Sequence, residues 1–356
     1  MIDEVVVESL SDYINKIKMI NSEFEDNDVI VYRGENQEYQ TPCVPNLFRQ
    51  NRTKENYFFE KNLLDEMVAN KLTDGESYLI KAVDAQHGGL PSRLLDVTYD
   101  CLVALYFAIT PSYKKKENID DDKNGVVYVF DFENMYCPIA TNVKELYDGI
   151  LERKEEWLFK DTLFQYNHKF VDHVLANNRI IAQKGAVILF QGDGFSPIPK
   201  YGFEKIIIPS HLKSTLREDL KKLFGIYTGF IYPEGDNKID EIVNKSLKFN
   251  PAPFSRKTEI ELISRHIKKY IGYNIERITS QKEVGSFQLQ SQVIEVEKEL
   301  KELKDRILKL DHIKNDEKEA VDKLKSNFDI QIDEFKQAMQ CIDKNLTIDI
   351  EILKFY

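Results

Sequence analysis

The sequence predicts an α+β domain followed by a helical extension, and three observations carry that reading. Short apolar runs of strand type recur at 29–32, 126–130, 186–190 and 205–209. The segments between them repeat their apolar residues at helical spacing instead. Beyond Pro253 no proline follows, Gly285 is the last glycine, and Val293, Val296, Leu300, Leu303, Ile307 and Leu310 step by three and four. Two regions follow from this: an α+β domain over 1–250 and a helical extension over 254–356, with a coiled coil at about 286–343.

A first helix is expected over 11–20, with Ser9 or Ser11 as its N-cap. Val29-Ile30-Val31-Tyr32 reads as a buried strand that stops at Arg33-Gly34-Glu35, and Pro42 and Pro45 stiffen the loop to Leu47-Phe48-Arg49. Phe58, Leu63, Leu64, Met67 and Val68 mark a helix over 57–71, and another covers 78–84. The segment from Ala85 to Thr98 reads as a rigid loop, because Gly88, Gly89 and Pro91 interrupt it. A buried helix follows over 102–109, and Thr98 is placed to cap it. Residues 111–123 form a polar loop in which Lys114-Lys115-Lys116 faces Asp120-Asp121-Asp122, and 151–175 mixes helix and loop around Trp157. After the last two strands, Ser210 opens an amphipathic helix that Gly225 closes. In the extension, Lys314-Asn315-Asp316 either sits in a polar gap of one long helix or turns a hairpin; 346–350 alternates like a short strand.

Composition excludes several function classes. Net charge is −11, with 30 basic against 40 acidic residues up to Pro253 and 19 against 20 from Phe254 on. An acidic domain of this kind is not built for broad nucleic-acid binding. No apolar run approaches the length of a membrane span. The four scattered cysteines and the acidic N-terminus predict a reduced, cytoplasmic protein. His168 and His173 are too far apart for a one-turn ligand pair, and no HExxH, GxGxxG or GxxxxGK[ST] occurs, so neither a metal nor an NTPase site is expected.

The chemistry concentrates in Ala85-Gln86-His87-Gly88-Gly89-Leu90-Pro91-Ser92-Arg93-Leu94-Leu95-Asp96-Val97-Thr98, which gathers an amide, an imidazole, a guanidinium, a carboxylate and hydroxyls. With Tyr32-Arg33-Gly34, Pro45-Asn46-Leu47-Phe48-Arg49, the Ala104-Leu105-Tyr106-Phe107-Ala108 helix and Arg179-Ile180-Ile181-Ala182-Gln183-Lys184-Gly185, the chain resembles the FRG domain family over roughly 29–247. Val97 and Ser92 depart from the tryptophan and threonine usual there. The aromatic-Arg-Gly strand end is also similar to the first motif of arginine-type ADP-ribosyltransferases, which bind NAD there. That resemblance implies a curved, split sheet with surrounding helices.

It also implies a site. Arg33 and Gly34 would clamp a phosphate, glycine allowing close approach. Gln86, Arg93 and Thr98 would contact the nucleotide, while His87, Asp96 and Gln183 would act in catalysis. Gly185 stands where the transferases carry a catalytic glutamate, and no Ser-Thr-Ser strand is present, so the carboxylate must come from Asp96, Glu35 or Glu60. Structural alternatives accompany each residue. Arg33 reads equally as a buried ion pair, perhaps with Asp96; Arg93 could pair with Asp96 along a helix; and His87 could lock a loop. Two functions follow. One is an NAD-acting transferase or glycohydrolase, suited to a toxin or antiphage effector. The other is a non-catalytic module binding a nucleotide or phosphorylated ligand. In either, the helical seam would serve a homo-oligomer or a partner helix, or would fold back onto the domain.

Overall fold

The computed structural model describes residues 5–25, 28–49, 52–73, 75–87, 89–111, 121–158, 161–172, 178–247, 249, 255–280, 285–310 and 313–356. The chain divides into two compact units, Met1–Leu247 and Lys248–Tyr356.

The first unit is built on β1 (Val5–Val6), β2 (Val29–Glu35), β3 (Leu94–Thr98), β4 (Gly125–Phe132), β5 (Met135–Tyr136), β6 (Lys169–Val171), β7 (Gly185–Leu189) and β8 (Glu204–Ile208). Among the described residues these form one mixed sheet, ordered β1-β8-β4-β2-β3-β7-β6-β5, which curls into a half-barrel. β1 on β8 and β5 on β6 are parallel; the other neighbours are antiparallel. Alternation along the strands assigns the two faces. Val127 and Val129 of β4 pack with Tyr13, Ile17, Ala104 and Ala108 of the Leu10–Asn21 and Cys101–Ile109 helices. Val126, Tyr128 and Phe130 point the other way, into a cluster with Val31, Leu95, Val97, Ile188 and Phe190. Leu94, Val187 and Leu189 anchor a third cluster under the Phe59–Ala69, Tyr78–His87 and Thr141–Glu152 helices.

The sheet is split at one place. β2 pairs with β4 along its whole length, but with β3 only at Tyr32↔Thr98. Continuing that register would pair Gly34 with Asp96 and Glu35 with Leu95, and neither pair forms. The Arg33 guanidinium bridges the gap, its Nη1 donating to the Asp96 carbonyl at 2.7 Å.

Several expectations are corrected here. The Tyr78–His87 helix runs on through Gln86, and Gly89, at φ +83°, ends it: its N–H meets the Gln86 carbonyl, and Leu90 N–H that of Ala85. This double closure is a Schellman cap, so the loop expected from Ala85 is shorter than its glycines suggested. Leu94–Thr98 is strand rather than helix, which removes any helical Arg93–Asp96 pair. Asp100, not Thr98, caps the Cys101–Ile109 helix by accepting from Leu102 and Val103 N–H. Most of the lysine and aspartate run near 114–122 lies outside the described residues, but Asp121 holds Arg217 Nη1 at 2.9 Å rather than being merely solvated.

In the second unit the Arg256–Thr279, Ser286–Leu308 and Lys318–Ile342 helices share one core. The chain breaks helix between 308 and 318, so the alternative of one long helix with a polar gap is not realised. Val293, Val296, Leu300 and Ile307 are buried among Ile267, Ile271, Phe328 and Phe335, and the apolar seam is covered by helices of its own unit. Residues 347–349 form no strand. The Gln290 side chain takes both backbone groups of Thr347, Glu297 accepts from Asp349 N–H, and a short Ile350–Leu353 helix follows.

Candidate functional site

A cavity of about 410 Å³ opens where β2 and β3 part. Its wall includes Arg33 and Gly34 of β2, Asp96 and Thr98 of β3, Gln86, Gln183, Asn46, Phe107, Arg179 and Tyr232. Six of the residues singled out from sequence are thus brought together: Arg33, Gly34, Gln86, Asp96, Thr98 and Gln183. His87 ends its helix next to Gln86, and its side chain lies outside the described residues.

Arg33 is the hinge of the arrangement. Its Nε donates to Glu35 Oε1 at 3.1 Å, and its Nη1 holds the Asp96 carbonyl. Burial works against its charge, but Glu35, together with Cys43 and Asp96, outweighs this and holds the guanidinium above its ordinary pKa. The expected ion pair therefore exists with Glu35, while Asp96 accepts the Arg33 hydrogen bond through its backbone and its carboxylate acts on the guanidinium only by charge. With 17% of the side chain exposed, Arg33 still faces the cavity, and its Nη2 has no partner among the described residues.

Asp96 is the solvent-facing residue of β3, and its carboxylate has no hydrogen bond or ion pair among the described residues. Among the described residues it is the one carboxylate that lines the cavity. Glu35 and Glu60 are both otherwise engaged. Glu35 is buried and accepts from Arg33 and from the Cys43 N–H at 3.2 Å. Glu60, 1% exposed, takes the Arg93 N–H at 2.9 Å, Arg93 Nε at 2.6 Å and the Tyr147 hydroxyl at 2.8 Å.

That network corrects the reading of Arg93 as a nucleotide contact. Arg93 is 4% exposed, also donates to the Gly192 carbonyl at 3.0 Å, and does not line the cavity. It ties the start of β3 to the chain beyond β7. Gly34 also owes its glycine to packing. A Cβ there would stand 1.9 Å from the Ala104 carbonyl oxygen and 2.6 Å from the Ala108 nitrogen, so the missing side chain admits the Cys101–Ile109 helix rather than a ligand.

The amides line the cavity but are partly engaged. Gln86 Nε2 donates to the Leu94 carbonyl at 3.2 Å and its Oε1 accepts from the Ser92 hydroxyl, which straps the Gly89–Arg93 turn to the preceding helix. Gln183 Nε2 donates to the Ile231 carbonyl at 3.2 Å. Thr98 Oγ1 donates to the Gln183 carbonyl at 2.7 Å and accepts from Asp100 N–H, joining β3 to the turn before β7.

Sequence reasoning missed Arg179, Tyr232, Phe107 and Asn46 as site residues. Arg179 had a usable signal: it lies four residues before Gln183 in the Asn178–Gln183 helix, which puts both on one face. Its guanidinium sits over the Tyr232 ring, 5.1 Å from the centroid, and pairs with Glu234. Tyr232 follows the distant Thr228–Ile231 helix and had no such signal.

Tyr32-Arg33-Gly34 thus ends a strand at the split, and the Gln86–Thr98 segment forms the facing wall. Residues 28–117 match the family model of the FRG domain. The chain carries an FRG domain. The matched FRG segment supplies Arg33, Gln86, Asp96, Thr98 and Phe107, whereas Arg179, Gln183 and Tyr232 come from beyond it. No curated protein and no solved structure matches the chain. No helix among the described residues is long and apolar enough to cross a membrane, and none of their His, Cys, Asp and Glu side chains cluster in threes suited to a metal ion.

His168 is structural in the FRG-domain unit. Its ring stacks on Phe190 at 3.9 Å between centroids, with Nε2 on the Ser196 carbonyl and Nδ1 facing Gln191 N–H. Burial lowers its pKa to about 4, below the ordinary 6.5. The unfolded chain therefore takes the proton first, and the ring's contribution is complete above pH 6.5 and lost as pH falls toward 4. We expect acidification over that window to remove up to about 3 kcal/mol. Urea titrations followed by Trp157, the single tryptophan and a member of the same unit, should show that slope; His168→Asn should flatten it. Equal slopes in the two proteins would assign the acid sensitivity elsewhere.

Proposed function

We propose that the cavity of the FRG domain takes NAD as substrate and breaks its nicotinamide–ribose bond, passing ADP-ribose to an acceptor group or to water. The observation that carries this reading is the placing, on one wall, of the Arg33 guanidinium beside an Asp96 carboxylate that accepts no hydrogen bond among the described residues. Arg33 binds the backbone of Asp96 itself, so the cation and the carboxylate are held in fixed register. That is the preorganisation that charge stabilisation requires. Nicotinamide departs with the electron pair of the glycosidic bond, positive charge develops on the ribose, and the Asp96 carboxylate opposes it. Arg33 serves the phosphates, and Gln86 and Gln183, which also line the cavity, orient the ribose or nicotinamide. The volume, about 410 Å³, lies within the range of small-molecule sites. NAD consumption of this kind would suit a toxin or antiphage effector.

One feature favours a second reading, a non-catalytic nucleotide-binding module. Lys184 and Gly185 follow Gln183 where the similar transferases carry glutamate, so the whole electrostatic task falls on Asp96. Nicotinamide release from NAD separates the two. The catalytic reading expects release by the wild type and background release by Arg33→Ala, with the variant's fold checked by Trp157 fluorescence. Background release by the wild type, with NAD still raising its melting temperature, would replace it with the binding module.

A further inference from the structure

Arg33 cannot grip a diphosphate by itself. Its Nε is committed to Glu35 and one Nη1 N–H to the Asp96 carbonyl, which leaves three of its five N–H groups, enough to hold one phosphate but not two. Among the described residues, the other cationic side chain lining the cavity is Arg179, carried by a different element. Its face rests on Tyr232, so its in-plane N–H edge is what remains for acceptors. Two donors of that edge, Nε at 2.9 Å and Nη2, converge on Glu234 Oε1. The second oxygen, Oε2, accepts from Asn237 Nδ2 at 3.2 Å, so Glu234 keeps a hydrogen bond that does not depend on Arg179. The Glu234 side chain is 46% exposed against 20% for Arg179, so water reaches the carboxylate of the pair and can solvate it once displaced.

We propose that Arg179 is the second phosphate-binding group of the cavity, and that Glu234 competes with the ligand for it. Resting on the nucleotide reading above, this deepens it: the site selects two linked phosphates over one and a nucleotide over a nucleoside, and Glu234 sets the affinity threshold. Displaced, Glu234 stays on Asn237, and the guanidinium keeps its seat on Tyr232 while its donors turn to phosphate oxygen.

Calorimetric titration of the full chain with ADP-ribose, AMP and adenosine tests this. Arg179→Ala should weaken ADP-ribose by about tenfold, the loss of a charge-assisted pair of hydrogen bonds, and leave adenosine nearly unchanged. Glu234→Gln should tighten ADP-ribose severalfold. That variant carries the test even if Arg179→Ala folds poorly, because it alters an exposed side chain and predicts a gain. ADP-ribose bound by the wild type with unchanged affinity in both variants would overturn the inference and leave the nucleotide reading intact. Weaker binding by Glu234→Gln would overturn the competition, making Glu234 a support for Arg179. A wild type that binds none of the three ligands would overturn the nucleotide reading, and this inference with it.

Discussion

Glu60→Ala should destabilise the Met1–Leu247 unit by about 3–5 kcal/mol, the range for stranding one member of a buried ion pair. Arg93 would keep its charge, 4% exposed, with only the Phe190 and Gly192 carbonyls as acceptors. The Tyr147 hydroxyl and the Arg93 N–H would lose their acceptor too, since both bond to Glu60 Oε1. Removing both charges is a different experiment. Replacing Glu60 by leucine together with Arg93 by methionine restores apolar volume without an uncompensated ion, so the pair should recover part of the loss. Urea unfolding read by Trp157 checks this. A single-variant loss below about 1 kcal/mol would mean that water reaches the pair, contrary to its burial.

Gly34→Ala should cost about 3 kcal/mol or more, because the clash is with helix backbone rather than with a side chain that can turn away. The added carbon would stand 1.9 Å from the Ala104 oxygen, and the Cys101–Ile109 helix would have to lift off β2. Gly125 makes the same approach one strand over, 2.1 Å from the Ala108 oxygen, without lining the cavity. Gly125→Ala should therefore lose stability to a similar extent. If Gly34→Ala instead kept its urea midpoint and lost only ligand binding, the glycine would be there for the ligand, as its sequence context first suggested.

That contrast shows what was legible in the chain. Strand and helix type follow from local periodicity, and β2, β4, β7 and β8 as well as the Cys101–Ile109 helix lie within a few residues of where alternation and helical spacing put them. The partners were not legible. Glu60 and Arg93 stand 33 positions apart, and nothing local marks them as a pair. The split sheet was implied only by resemblance, because it depends on a register between β2 and β3 that ends after one pair. Gln86 illustrates a subtler failure. Glycines at 88 and 89 suggested a loop, whereas Gly89 with its positive φ is the end of a helix that already contains the amide. In the second unit the heptad phase reads equally well through 309–317 or around a turn. Only the Arg256–Thr279 helix, packed on the same apolar residues, decides between them.

The most direct test of the account is Asp96→Asn, assayed for NAD affinity and nicotinamide release together. The side chain keeps its size, and its backbone carbonyl still receives Arg33, so the wall of the cavity is preserved while the charge is removed. NAD should bind within about threefold of wild type, with nicotinamide release reduced about a hundredfold or more, as for loss of a charge-stabilising group. Release at the wild-type rate from Asp96→Asn would contradict it, since no other carboxylate lines the cavity among the described residues.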